Sequence, residues 1–284
     1  LGYLGGGILL ALNLALILGG EGFGIPRELA TRISLASAGL WWLGFSIPML
    51  RRIHDIPNAK SGTKVSGNVI TAGFKQLANT LGHARQFPQA FKFLIAFILF
   101  NDGVQSVIGL AATFGTDELK LGQTTIIGVF LMVQFLAFAA AWVFGRIAEK
   151  VGAMRAIKGS LVIWTLIVTM AFFFVREGWH FWALGAAVAM VQGGTQAISR
   201  SLFSQLVPKD KSAEFFGLYE TSDKASSIFG PLIFTIVFGF TQSVRGGILA
   251  LIIFFLIGLV ILGFVKVRDG IRDVAEYEAK IGLT

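Results

Sequence analysis

The chain has 284 residues, of which 55% are hydrophobic and 14% charged, with 35 glycines and no cysteine. A soluble domain carries about 25% charged residues, so this composition excludes an ordinary soluble domain, a disordered chain and a coiled coil. The absence of cysteine excludes disulfides, thiolate zinc sites and cysteine nucleophiles. Such a composition is typical of helices that lie in a lipid bilayer, where glycine permits close packing.

Eight apolar segments predict eight transmembrane helices, because a span needs about 20 mostly apolar residues to cross the hydrocarbon. In chain order they cover residues 1–19, 33–51, 91–113, 124–145, 156–175, 179–199, 214–240 and 246–266. The first segment opens at Leu1, inside an apolar run. We therefore expect the chain to be part of a longer protein.

The net charge of +8 follows the connections between these spans. Alternate connections carry 19 of the 24 lysines and arginines, in residues 51–92, 146–158, 200–224 and 266–284. The positive-inside rule makes these connections cytoplasmic and places the C-terminus in the cytoplasm. Topology thus accounts for the charge. Nucleic-acid binding is not expected, since it needs basic residues clustered on a soluble face.

The connection after the second span is long and polar. Within residues 52–90, Ile70, Phe74, Leu77 and Leu81 fall at helical spacing, which predicts a short amphipathic helix on the cytoplasmic surface. A mostly disordered linker is the alternative. The predicted organisation is a pair of spans in 1–51, a loop in 52–90, a six-helix bundle in 91–266 and a cytoplasmic tail in 267–284.

Three of the predicted spans carry polar stripes, although a charge at the bilayer centre costs about 2.5–3.5 kcal/mol on insertion scales. The stripes are Asn101, Asp102 and Gln105 in the third span, Gln192, Thr195 and Gln196 in the sixth, and Tyr219, Glu220 and Asp223 in the seventh. Three such stripes predict a shared aqueous cavity, a pathway for substrate or ions. Asp102, near mid-span, is the candidate proton carrier or contact for a substrate amine. The alternative is that these groups only bond one another between helices, at about 0.6 kcal/mol each.

Enzymatic motifs are absent: there is no Walker loop, G-x-S-x-G elbow, H-E-x-x-H pair or dinucleotide fingerprint. His54, His83 and His180 lie far apart and form no ligand-spaced pair. We therefore expect that the protein is not an enzyme and that it has no catalytic residue, metal or cofactor. A transporter, a non-transporting membrane scaffold or sensor and, with least support, an intramembrane enzyme stay open at this point.

The connection between the fourth and fifth spans reads GRIAEKVGAMR over residues 145–155. It resembles the cytoplasmic signature loop of the major facilitator superfamily, which has a glycine, an acid–base pair, a second glycine and then basic residues. Glutamate stands here where aspartate is usual. The resemblance implies a gating role for Gly145, Arg146, Glu149, Gly152 and Arg155.

Residues 101–105, 193–201 and 214–220 resemble the vacuole-effluxer-like branch of that superfamily, named for an autophagy-related protein of the fungal vacuole. The resemblance implies an all-α membrane protein with a major-facilitator-type bundle of twelve helices. This chain would be the C-terminal two-thirds of such a protein and would contain eight of the twelve helices. The other four, from the N-terminal half of the same protein, would be its partners. Such halves alternate access around a midplane site.

Residues and resemblance together predict a secondary active transporter coupled to an ion such as the proton. The resemblance implies that it exports amino acids or similar small polar metabolites. In this scheme the amides and Thr195 donate or accept hydrogen bonds, and Glu220 and Asp223 contribute to the cytoplasmic gate or the cavity. The expected location is the plasma membrane if the protein is bacterial. The rival is the scaffold or sensor, in which the same polar groups only hold helices together.

Overall fold

The computed structural model describes residues 2–52, 82 and 85–282, and its regular structure is helical. The helices are α1 (Gly2–Gly19), α2 (Arg27–Arg52), α3 (Pro88–Thr113), α4 (Gln123–Val151), α5 (Ala153–Phe173), α6 (Gly178–Ser204), α7 (Ser212–Ala225), α8 (Phe229–Thr241), α9 (Val244–Ala250), α10 (Ile252–Gly263) and α11 (Val267–Lys280). Short helical turns cover Gly20–Phe23, Phe114–Glu118 and Lys209–Lys211.

Seven helical segments of the described ranges are long and apolar enough to cross a membrane. They are Gly2–Phe23, Arg27–Arg52, Pro88–Glu118, Gln123–Val151, Ala153–Phe173, Lys209–Thr241 and Val244–Gly263. The chain is accordingly an integral, multi-pass membrane protein. The amphipathic helix predicted within residues 52–90 lies largely outside the described residues.

The predicted sixth span corresponds to α6, which is not among these seven segments. At 27 residues α6 is long enough to cross, but its polar stripe makes it less apolar than the others. Packing against α4 and α5 buries part of that stripe, and a helix sheltered by protein needs fewer apolar residues. The count of eight spans therefore stays a prediction.

The chain divides into two compact units, residues 1–68 and 69–284. In the first unit, α1 and α2 pack as a hairpin held by Asn13. Its Nδ2 donates to the backbone oxygen of Ser34 at 3.3 Å, and its Oδ1 accepts from Ser37 Oγ at 3.0 Å. Since one polar side chain joins two apolar helices, Asn13 serves helix packing.

In the second unit, α3 contacts α6, α7, α8, α10 and α11, while α4 lies along α6. The interior is rich in aromatic rings, with Trp164 stacked on Phe255 at 5.8 Å between ring centres. Small residues bring α4 and α6 close: a Cβ on Gly194 would lie 2.6 Å from Cβ of Phe144. Close packing of this kind drives helix association in lipid, where burial of apolar area gives little.

Arg245 lies at one end of this bundle and links three of its elements. Nothing in the sequence singles out this side chain. Its Nε donates to Glu118 Oε1 at 2.5 Å, and its Nη1 donates to the backbone oxygens of Ala171 and Phe172 at 3.0 and 3.2 Å. The guanidinium thus joins α9, α5 and the turn after α3. Buried arginine is tolerated here because charge and donors are both satisfied.

The opposite end carries α11, which forms within the segment predicted as a tail. This helix is strongly amphipathic, and it buries Val274 and Gly270 against the bundle. Glu278 Oε1 accepts from the backbone N–H of Lys209 at 2.9 Å, and Tyr277 OH donates to Asp210 Oδ2 at 3.1 Å. The helix therefore ties the α6–α7 connection to the start of α3.

Tyr277 holds α11 through both its ring and its hydroxyl. The ring packs edge-on against Phe87 at 5.4 Å, and desolvation together with the Asp210 carboxylate keeps the pKa of the phenol above its usual range. We expect Tyr277→Ala to lower the unfolding free energy by about 2 kcal/mol and Tyr277→Phe by at most about 1 kcal/mol. Thermal unfolding of both variants in detergent measures the difference. Equal losses in the two variants would contradict the assigned role of the ring.

Candidate functional site

The segment predicted as one span over residues 214–240 is broken into α7 and α8 at residues 226–228. Pro231 explains the break: it lacks an N–H, and its ring would clash with the carbonyl four residues earlier in a continuous helix. The same proline is tolerated in the first turn of α8, where backbone N–H groups have no intrahelical partner. A discontinuous helix thus lies against α3 inside the bundle.

Asp102 of α3 binds the beginning of α8. Its Oδ2 accepts from the backbone N–H of Phe229 at 3.0 Å, and its Oδ1 accepts from the backbone N–H of Gly230 at 2.9 Å. Ser106 Oγ, one turn along α3, donates to the same Oδ1 at 3.3 Å. The carboxyl group is fully buried and lies at the positive end of the α8 dipole. Asp102 therefore caps α8 from a neighbouring helix.

Asn101, the preceding residue, binds the end of α7. Its Nδ2 donates to Asp223 Oδ1 at 2.9 Å and to Ser226 Oγ at 2.6 Å, while Ser226 Oγ donates to the backbone oxygen of Asp223 at 2.7 Å. This network fixes the orientation of the amide, since a carboxylate accepts and the serine proton is already used. Asn101 Oδ1 is buried and has no hydrogen-bond partner in the described part of the chain.

The remaining polar residues of α7 take different roles. Tyr219 is buried, with its ring 4.2 Å from that of Phe97 and 5.0 Å from that of Phe203. Glu220 forms a salt bridge with Arg200 of α6 at 2.9 Å, and the side chains of Arg200 and Glu220 are 60% and 45% exposed. Tyr219 thus belongs to the aromatic core, and the Glu220 pair lies at the surface of this unit.

The residues of the α6 stripe differ in their surroundings. Thr195 Oγ1 donates within its own helix, to the backbone oxygen of Val191 at 2.6 Å. Gln192 instead lines an apolar cavity of about 80 Å³ among α3, α4, α5, α6 and α9. Its Oε1 is buried there and has no partner within the described ranges. Gln105 and Gln196 are half-buried.

The signature-like loop is a tight connection between α4 and α5. Gly152 joins the two helices with φ +91° and ψ 141°, a conformation that favours glycine. The Arg146 guanidinium lies 3.5 Å above the Trp142 ring. Glu149 and Arg155 are exposed, and neither forms a salt bridge with another residue in ranges 2–52, 82 and 85–282. Gly145 is half-buried, with open space where a side chain would stand.

Sequence reasoning missed the groups that complete this site. Ser226 and the backbone N–H groups of Phe229 and Gly230 bind Asn101 and Asp102, and none of them belonged to a predicted stripe. The one available signal was the Gly-Pro pair at 230–231 inside an apolar span, since this pair is typical of a break or turn.

Comparison with known proteins gives one family. The family model described as "Vacuole effluxer Atg22 like" matches residues 1–275. The chain is 33% identical to the MFS-type transporter YxiO of Bacillus subtilis over 100% of its own length and 65% of that protein. It is 27% identical to autophagy-related protein 22 of Kluyveromyces lactis, over 86% of the chain and 53% of that protein.

A second fungal relative, autophagy-related protein 22-1 of Penicillium rubens, is 28% identical over 99% of the chain and 50% of that protein. The chain thus spans about half to two-thirds of the length of these curated relatives. Its correspondence to the C-terminal two-thirds of a twelve-helix protein stays a prediction. No solved structure matches the chain.

Proposed function

The chain belongs to the vacuole effluxer Atg22-like family, and from this premise we propose that it acts as a secondary active transporter. The family is one of transporters and not of enzymes. The proposed activity is export of amino acids or similar small polar metabolites by alternating access, coupled to an ion. The proposed pathway consists of the polar residues of α3 and α7, with Gln192, Thr195 and Gln196 of α6.

The observation that carries this proposal is the broken helix α7–α8 with Asn101 and Asp102 bound to its two inner ends. Discontinuous helices in secondary transporters form substrate and ion sites near mid-membrane, because unwound backbone and helix ends offer polar groups there. A static bundle has no need of such a break, since an intact helix satisfies its own backbone in lipid.

The alternative is a scaffold or sensor in which the polar groups only hold helices together. Asn101 argues against it, because its buried Oδ1 lacks a partner in the described ranges. An interhelical contact selected for packing alone is expected to satisfy its buried acceptors, since an unsatisfied one costs about 1–3 kcal/mol. A buried acceptor that lacks a partner in the described ranges therefore favours a ligand-binding role over a packing role.

We expect Asn101→Ala to lower the initial rate of amino-acid efflux by at least about tenfold, because it removes a pathway group that binds directly. The measurement is release of each radiolabelled amino acid from proteoliposomes that contain the purified protein, with and without an imposed pH gradient.

Ser160→Ala is the matched control. Ser160 is fully buried, and its Oγ donates within its own helix, to the backbone oxygen of Ile157, one turn away in α5. We expect efflux by this variant to equal that of the wild type. Equal efflux by Asn101→Ala, at comparable stability, would support the scaffold, as would the absence of flux for every amino acid tested.

A further inference from the structure

We infer that Asp223 and Asn101, at the end of α7, form a binding site for a monovalent cation. The cation is either an alkali ion or the ammonium group of a substrate. The inference deepens the proposed function and rests on it for its role in transport, while the site itself is a matter of binding. In this inference, the carboxylate that binds the cation is that of Asp223 in the broken helix and not that of Asp102.

The break separates the two helix ends by charge. The N-terminus of α8 carries partial positive charge, and Asp102 neutralises it by accepting from Phe229 and Gly230. Because both of its oxygens accept hydrogen bonds from the N–H groups of these residues, Asp102 positions α8 and is not the residue assigned to bind the cation. The opposite end, the C-terminus of α7, carries partial negative charge, and the group that α3 brings to it is the neutral amide of Asn101.

Asp223 adds a negative charge to that end, since it lies in the last turn of α7. A carboxylate at a helix C-terminus is unfavourable unless a cation compensates it. Within the described residues, the cation nearest to its carboxylate is Lys224 Nζ, 3.2 Å from Oδ2. The Lys224 side chain is 82% exposed, so solvent screens this contact and its contribution is small.

Asn101 supplies the second ligand. Its Nδ2 holds Asp223 Oδ1 and Ser226 Oγ, and its Oδ1 lies in the same amide plane, buried and without a partner in the described ranges. The Asn101 side chain is 1% exposed, so bulk water does not satisfy this oxygen. A buried acceptor on an amide that is itself hydrogen-bonded to a carboxylate calls for a donor or a cation.

The number of charged oxygen ligands in the site indicates whether it binds a monovalent or a divalent cation. One carboxylate, an amide oxygen and a serine oxygen suit a monovalent cation or a primary ammonium, whereas calcium or magnesium sites employ more charged oxygen ligands. The Asp223 side chain is 20% exposed, so an ion reaches the carboxylate without unfolding of the bundle.

The test is thermal unfolding of the purified protein in detergent, titrated with NaCl, KCl or methylammonium chloride against choline chloride at constant ionic strength. We expect Na⁺, K⁺ or methylammonium, but not choline, to raise the unfolding temperature in a saturable way. Saturation by an alkali ion identifies a coupling ion, and saturation by methylammonium alone identifies a substrate amine. No saturable shift with any of the three would overturn the inference.

Two variants assign the site. Asp223→Asn keeps an oxygen that accepts from Asn101, and we expect it to weaken cation affinity at least about tenfold. Lys224→Met removes the competing charge, and we expect it to tighten affinity about two- to fivefold. Asp269→Asn, a half-exposed carboxylate on α11, is the control and leaves affinity unchanged. Unchanged affinity in Asp223→Asn would assign the cation elsewhere and refute the inference.

The two proposals fail separately. If Asp223→Asn exports normally and with wild-type cation dependence, the cation site is refuted and the transporter function is still supported. If the protein binds a cation saturably, loses this binding in Asp223→Asn and moves no amino acid, the cation site is supported and the proposed function is refuted.

Discussion

Asp102→Ala is expected to lower the unfolding free energy of the protein by about 3–5 kcal/mol. The variant leaves two N–H groups of α8, that of the part-buried Phe229 contact and that of the buried Gly230, without their acceptor. A buried donor without a partner costs about 1–3 kcal/mol, and lipid surroundings offer no replacement. The loss also removes the negative charge that faces the positive end of the helix.

Thermal or denaturant unfolding in detergent measures this loss. Asp102→Asn retains one acceptor oxygen but turns an amide nitrogen toward the other N–H group, so we expect an intermediate loss of about 2 kcal/mol. Asp117→Ala is the control, because Asp117 is exposed and accepts from its neighbour Thr116. Wild-type stability in Asp102→Ala would show that α8 does not depend on this cap.

The boundaries of the apolar helices were predictable because hydropathy and length act locally. The predicted spans 91–113 and 156–175 correspond to Pro88–Thr113 and Ala153–Phe173, within a few residues at each end. The break after α7 was not predicted, since residues 229–241 are as apolar as a continuous span. Hydropathy records side chains, whereas a proline acts on the backbone carbonyl before it.

The candidate site was predictable in part for a similar reason. Asp102 and Asn101 stand out in the sequence because polar groups are costly in lipid. The backbone partners of Asp102 do not, since every residue except proline has a backbone N–H and nothing in the sequence distinguishes that of Phe229. Asn101 and Asp223 are also 122 residues apart, a pairing that helical spacing within one segment does not reveal.

The separation of roles between the two neighbouring residues follows from helix geometry. Asn101 and Asp102 are consecutive, so they point from α3 in directions about 100° apart. One therefore reaches the end of α7 and the other the beginning of α8. A single turn of α3 thus holds both ends of the break, and a movement of α3 acts on both at once.

Gly230→Ala tests that arrangement from the side of α8, and we expect it to lower the unfolding free energy by about 2–4 kcal/mol. A Cβ at this position would overlap Ser106 Oγ and lie 2.6 Å from Ser106 Cβ and 2.9 Å from Asp102 Oδ1. Overpacking of this kind costs about 1–3 kcal/mol, and displacement of the carboxylate weakens the cap as well.

Gly239→Ala is the matched control on the same helix, because a Cβ there would meet no atom within 4 Å. We expect no loss in this control, since alanine favours helix over glycine by up to about 1 kcal/mol. Ser106→Gly removes the two atoms nearest to the added methyl group, so it should restore part of the stability of Gly230→Ala. Restoration would show that the loss comes from the contact between α3 and α8. A loss that Ser106→Gly does not relieve would place the strain in the backbone of the break itself, and the close approach of the two helices would then not be what holds α8 in place.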